Sequence, residues 1–136
     1  MIWQASVLCD GAAAGEALRL DEPISFWGGV CPGTARIIQP GHSQKNVVLT
    51  GRIVIIPKVI GSSSSSAVML ELLQKGIAPA GLIMGQRDAI LPVGVIAARQ
   101  MDWPVIPVFQ IGSPPFFTGN TLRLEPGGAI FQNPKA

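Results

Sequence analysis

The sequence predicts an α/β layered fold with a β-rich half. Three observations carry this. Ile53-Val-Ile-Ile56 is an unbroken β-branched run, the pattern of a strand covered on both faces. Directly after it, five serines, Ser62 to Ser66, lead into an amphipathic stretch of helical period. Across the chain the order is strands, then β-loop-α-β-α-β, then strands again, which builds layers of helix on sheet.

From the N-terminus, Trp3 to Cys9 reads as a strand, and Glu16 to Leu20 alternates polar and apolar residues as a half-buried strand does. Pro23, Gly28, Gly29, Pro32 and Gly33 break the next stretch into loops around Ile24 to Trp27. Ala35 to Gln39 is a short strand, Pro40 to Asn46 a polar loop, and Val47 to Pro57 the strongest strand signal. The helix that follows carries Met69, Leu72 and Leu73 at i, i+3, i+4 spacing. Lys75 in its last turn and Gly76 just beyond form a stop signal. Ala80 to Met84 is a short buried strand. Leu91 to Gln100 is a second apolar helix with Pro92 tolerated in its first turn. Val105 to Ile111 reads as a strand, with Pro107 pointing to an edge position. Thr118 to Leu124 and Ala129 to Gln132 close the chain as β. With no internal repeat and no dividing linker, residues 1–136 are expected to form one domain.

The chain is 48% hydrophobic and 13% charged, enough for a real core and an argument that some apolar surface faces a partner. A net charge of +2 with no Lys/Arg cluster excludes nucleic-acid binding, which needs a basic stripe. Cys9, Cys31 and His42 are too few, at the wrong spacings, to ligate zinc or an iron–sulfur cluster within the chain. No leader-like segment and no run of about 20 apolar residues is present, so no membrane association and a cytoplasmic location are expected.

The serine run is the most unusual feature. It reads as a flexible linker or as a strand-to-helix loop that presents N–H groups and a helix dipole to an anion. The abutting strand and helix favour the second. One serine is expected to cap the helix. Ser62 to Ser64 then line the loop, with a carboxylate or phosphate as the natural guest. A self-contained hydrolase triad is disfavoured: there is no GxSxG elbow, and His42 has no acidic neighbour in sequence. His42 itself reads as an exposed loop histidine rather than a phosphoryl carrier, because a strand and not a small-residue helix follows it. Trp27 reads as a core anchor before a turn, or as part of a loop that meets a partner near substrate. Gly11 to Gly15 opens into a strand, so it fails as a dinucleotide fingerprint.

Several segments together resemble the aconitase X small subunit. They are Gly15-Glu-Ala-Leu18, Asp21-Glu-Pro-Ile-Ser-Phe-Trp-Gly-Gly29, Arg36-Ile-Ile38, Gly51-Arg-Ile-Val54, Gly61 to Val68, Ala78-Pro-Ala80, Asp88-Ala-Ile-Leu91 and Gly94. The resemblance implies a swivelling β/β/α domain, with a barrel-like half and two packed helices, in a dehydratase. It implies a large catalytic subunit as partner, holding an iron–sulfur cluster, with no cofactor in this chain. It implies that Ser62, after Gly61, is the base that takes a proton from carbon, with Gly61, Ser63 and Ser64 binding substrate. Ser64 stands where aconitases proper carry an arginine, and Val59 and Ile60 stand immediately before Gly61 where many aconitase X loops carry one, so cationic support falls to Lys58, Arg87 or the partner.

The expected function is therefore that of a hydro-lyase small subunit. The uninterrupted serines with Ala67 and Val68 resemble the bacterial branch, which dehydrates cis-3-hydroxy-L-proline. Phosphomevalonate is the alternative substrate, and a non-catalytic anion-binding module the alternative of another class.

Overall fold

The computed structural model describes residues 1–133; the last three residues of the expected domain lie outside them. The elements are β1 (Ile2–Gln4), β2 (Ser6–Cys9), β3 (Ala13–Arg19), α1 (Phe26–Gly29), β4 (Ile53–Ile56), α2 (Ser65–Lys75), β5 (Gly81–Met84), α3 (Ile90–Gln100), β6 (Val108–Gln110), β7 (Thr121–Glu125) and β8 (Ala129–Asn133).

All eight strands join one sheet of order β1-β8-β7-β3-β4-β5-β6-β2. Strands β3, β4, β5 and β6 run parallel, and the outer pairings are antiparallel. The two edge strands, β1 and β2, are separated in the chain by Ala5 alone. A single residue cannot span an open sheet of that width, so the sheet curls until its edges meet. This is the barrel-like half that the sequence resemblance implies. Its interior holds Ala17, Ile53, Ile55, Ile83, Phe109, Phe116, Leu122, Leu124 and Ile130, with Trp3 meeting Phe116 edge-on at 4.8 Å.

The β-branched run is covered on both faces. Ile53 and Ile55 point into the barrel, while Val54 and Ile56 meet Met69, Leu72, Leu91 and Val95 of the two long helices. Alternation along a pleated strand sends successive side chains to opposite faces, and here both faces are dry. Helix α2 ends as its sequence directs, with Gly76 left-handed at φ 71 and its N–H closing the last turn. A Cβ built on Gly94 would lie 2.6 Å from Ser66 O, so α3 packs backbone-close on the first turn of α2.

Several local expectations are corrected. Val47 to Pro57 is not one strand: Val48 makes only an isolated bridge to Arg36, and positive φ at Asn46 and Gly51 turns the chain before β4. Ala35 to Gln39 likewise forms isolated bridges, Val30 to Ile37 among them, rather than a strand. Strand β6 is interior, between β5 and β2. Pro107 precedes it and needs no N–H, while its carbonyl accepts from Leu82. Trp3 to Cys9 breaks at Ala5, the corner where the sheet closes.

Candidate active site

Parallel strands place the segments that follow them together, at the C-terminal ends of β3 to β6. Ile56 of β4 pairs with Met84 of β5, and the Gly85 N–H donates to Ile56 O at 2.8 Å. The segment 57–64 and the segment 85–89 therefore leave the sheet side by side. Val59 from the first, with Gln86, Arg87 and Asp88 from the second, lines a cavity of ≈ 40 Å³. Asp88, just ahead of the N-cap residue Ala89, accepts the Leu91 N–H at 2.9 Å in the first turn of α3. Lys58 and Arg87 are exposed and belong to no ion pair among the described residues. Both nominated cations are thus unpaired on the segments that follow β4 and β5.

The five serines have distinct environments. Ser62 Oγ accepts the Ser64 N–H at 3.0 Å. The N–H groups of Ser65, Ser66 and Ala67 donate to the carbonyls of Ser62, Ser63 and Ser64 in a tight i−3 turn. That turn consumes the donors expected to face an anion. Of the five serines, only Ser62 and Ser63 have N–H groups with no partner among the described residues. The N-cap position falls to Ser64, which is helical in φ/ψ and makes no side-chain cap bond. Ser66 Oγ donates to Ser63 O at 2.9 Å. Ser65, 1% exposed, uses its hydroxyl elsewhere: its Oγ accepts the Trp27 N–H at 3.0 Å. The expectation that a serine side chain caps α2 is therefore corrected, because the tight turn satisfies the helix N–H groups without one.

Two of the five hydroxyl oxygens thus receive a backbone N–H. Ser65 is sealed, whereas Ser62 is only half-buried. Ser62 alone combines a fixed N–H donor on its oxygen with access from solvent. A donor aimed at a hydroxyl oxygen strengthens as negative charge develops there, which lowers the cost of an alkoxide. Ser63 and Ser64 are exposed beside it, and Gly61 precedes it at φ 96, a conformation that favours glycine.

A second segment packs along the loop. Val59 bridges Ile24, and the Ile60 N–H donates to Ile24 O at 3.0 Å. Ser25 lies directly on Gly61, where an added Cβ would collide with its Oγ and Cβ. Gln39 fastens the segment from behind, accepting the Ser25 N–H at 2.9 Å and donating to Pro23 O at 3.1 Å. Ser25 and Gln39 were not singled out from sequence. Ser25 lay within the Asp21-to-Gly29 motif of the resemblance, and Gln39 stood only as the end of an expected strand.

Trp27 is not the core anchor. Phe26 is fully buried in its place, and Trp27 is 58% exposed. Its indole borders an apolar groove of ≈ 380 Å³ with Gly28, Val30, Pro32, Ile38 and Val68. His42 is also corrected: it is 5% exposed, and its Nδ1 accepts the Gln44 N–H at 3.0 Å. The adjoining loop is held by exposed Glu22, whose carboxylate accepts the Ser43 N–H at 2.6 Å. That bond keeps the Glu22 carboxyl below the usual carboxylate range.

Among the described residues no group of three or more His, Cys, Asp or Glu side chains converges to hold a metal ion. Cys9 is buried and Cys31 half-buried, both as free thiols. The residues described here therefore do not fit an iron–sulfur cluster. No helix among them is long and apolar enough to cross a membrane.

Comparison with known proteins places this geometry. Residues 2–128 match the family model described as aconitase X swivel domain. A cis-3-hydroxy-L-proline dehydratase of Pseudomonas aeruginosa is 38% identical over 105 residues, covering 77% of this chain but 18% of its own length. The chain thus spans under a fifth of that relative. A phosphomevalonate dehydratase small subunit of Methanopyrus kandleri is 33% identical over 119 residues, covering 85% of this chain and 84% of its own. In fold, the crystal structure of Thermococcus kodakaraensis aconitase X superposes with a TM-score of 0.88 at 24% identity, covering 98% of this chain and 99% of that one. With nearly every described residue inside the family match, the chain belongs to the aconitase X swivel domain family.

Proposed function

We propose that this chain is the small subunit of an aconitase-X-type hydro-lyase, completed by a large catalytic subunit, and that Ser62 is the base of the reaction. One observation carries the assignment of Ser62. It is the half-buried serine of the run whose oxygen receives a fixed backbone N–H. In the elimination, Ser62 reacts as the alkoxide, its hydroxyl proton having passed to solvent, and its Oγ takes the proton from carbon. The C–H electron pair becomes the new π bond, and the C–O bond to the neighbouring hydroxyl breaks. That oxygen leaves as hydroxide and takes up a proton from solvent to become water. Gly61 gives the loop its turn, and Ser63 and Ser64 bind the substrate anion with the two unpartnered N–H groups. Lys58 or Arg87 supplies positive charge for that anion. An iron–sulfur cluster belongs to the large subunit, and no step above is assigned to it.

The substrate proposed is cis-3-hydroxy-L-proline, whose dehydration gives a cyclic imine once the enamine takes up a proton on carbon and loses the one on nitrogen. Dehydratases of that name are 38% and 40% identical to this chain. Phosphomevalonate is a second reading, favoured by the match over 84% of the Methanopyrus kandleri small subunit. The test is co-expression with the large subunit and assay of both substrates. Turnover of the hydroxyproline by the complex, and none by this chain alone, is expected. Turnover of phosphomevalonate only would exchange the substrate, and full turnover by the isolated chain would refute the subunit reading.

A further inference from the structure

The serine loop, with Val59 and Ile60 ahead of it, is tied to the Ile24–Gly29 segment at two points. The first is made by backbone alone: Val59 bridges Ile24, and the Ile60 N–H donates to Ile24 O. The second is one side-chain bond, the Trp27 N–H to Ser65 Oγ at 3.0 Å. Between them the contacts close a ring. Ser65 N–H donates to Ser62 O at 3.1 Å, Ser25 sits on Gly61, and Ser25 Oγ donates to Trp27 O at 2.9 Å. Ser62 hangs in the span between the two ties. Its backbone is held from the N-terminal side by Gly61 against Ser25, and from the C-terminal side through Ser65.

Ser65 is the one serine of the run that faces away from solvent, and its hydroxyl does nothing for its own helix. From this we infer that Ser65 is a positioning residue, acting through Trp27 and Ser25 to hold the Ser62 hydroxyl in reacting geometry. The inference rests on the reading of Ser62 as the base. Proton transfer is sensitive to small displacements, and a shift of about 1 Å can cost ~10²-fold in rate. Removing Ser65 Oγ frees one end of the loop while the Ile24–Ile60 tie keeps the other. Alanine is also the stronger helix former at that position, so α2 persists. The loss therefore falls on the orientation of Ser62 and not on substrate binding or folding.

The experiment uses the assembled complex, with cis-3-hydroxy-L-proline and phosphomevalonate as substrates, and four variants: Ser62→Ala, Ser65→Ala, Ser25→Ala and the Ser25/Ser65 double. Thr50→Ala serves as control, since its hydroxyl bonds Ile77 O before β4, at the far end of that strand. Amide exchange at Trp27 is followed in the isolated chain. Ser65→Ala is expected to lower kcat about 10- to 100-fold, with KM, assembly and melting temperature near those of Thr50→Ala. Trp27 should lose its amide protection. The double variant should lose less than the product of the single losses, because both act on one ring. If Ser62→Ala is inactive while Ser65→Ala keeps kcat within about twofold, the positioning role is overturned and the base assignment stands. If Ser65→Ala loses activity only through assembly or melting temperature, Ser65 is structural and the inference is equally overturned. Full activity of Ser62→Ala removes the base, and the positioning role falls with it.

Discussion

The Trp27 amide donates to the Ser65 hydroxyl at 3.0 Å across 38 positions of sequence. This bond joins an exposed aromatic turn to the serine loop, so a protein surface that meets one meets the other.

Ser62→Ala in the assembled enzyme should lower turnover by ~10²–10⁴, the usual cost of removing a proton-transfer group. Ser63→Ala and Ser64→Ala, whose side chains are exposed, should raise KM more than they lower kcat. Steady-state kinetics on the three variants decides this. A dead Ser63→Ala beside an active Ser62→Ala would move the base by one position.

Gly61→Ala should damage folding as well as activity. The residue sits at φ 96, and an added Cβ would collide with Ser25. A non-glycine residue in such a conformation costs of order 1–3 kcal/mol, before the collision is counted. Urea denaturation of the isolated chain measures it, and a variant as stable as the parent would contradict the packing of Ser25 on Gly61.

Trp27→Ala should weaken assembly with the large subunit. The indole borders the apolar groove, and its amide is already bonded to the serine loop. Truncating a buried interface tryptophan typically costs ~2 kcal/mol, or about 30-fold in Kd. Calorimetric titration of the two subunits reads this directly. An unchanged Kd would place the large subunit on another face.

Cys31 should alkylate faster than Cys9, and at lower pH than an ordinary thiol. The Thr34 hydroxyl, then the Gly33 N–H, donates to its sulfur and favours the thiolate, which lowers its pKa. Burial pushes the Cys9 thiol up, and its Sγ lies 3.7 Å from Pro92 O. Because the thiolate is the reactive form, Cys31 labelling should rise with pH and level off before that of a free cysteine. Mass spectrometry after timed iodoacetamide exposure at several pH values checks the order and the midpoint.

The sequence by itself determined the elements whose signals are local. Ile53 to Ile56 is a strand dry on both faces because four consecutive β-branched residues have no polar side to offer solvent. Helix α2 stops where Lys75 and left-handed Gly76 end it, and Pro92 fits the first turn of α3, where no intrahelical N–H is needed. The aconitase X resemblance was legible for a similar reason: its motifs are short runs, each readable in place. Only the tertiary structure decided which partner each serine hydroxyl finds. Periodicity placed a helix start within the serine run, but five identical side chains carry no information about their partners. From sequence one serine of the run is expected to cap the helix, because a cap is the nearest use for a hydroxyl there. In the fold the Ser65 hydroxyl instead meets the Trp27 N–H, which chain closure brings beside it, and Ser65 itself is buried. The same holds for Phe26 and Trp27, adjacent aromatics of which only packing could choose the buried one. Hydrophobic pattern fixes the face a residue turns inward, whereas a hydrogen bond between residues far apart in sequence exists only once the chain has folded around it.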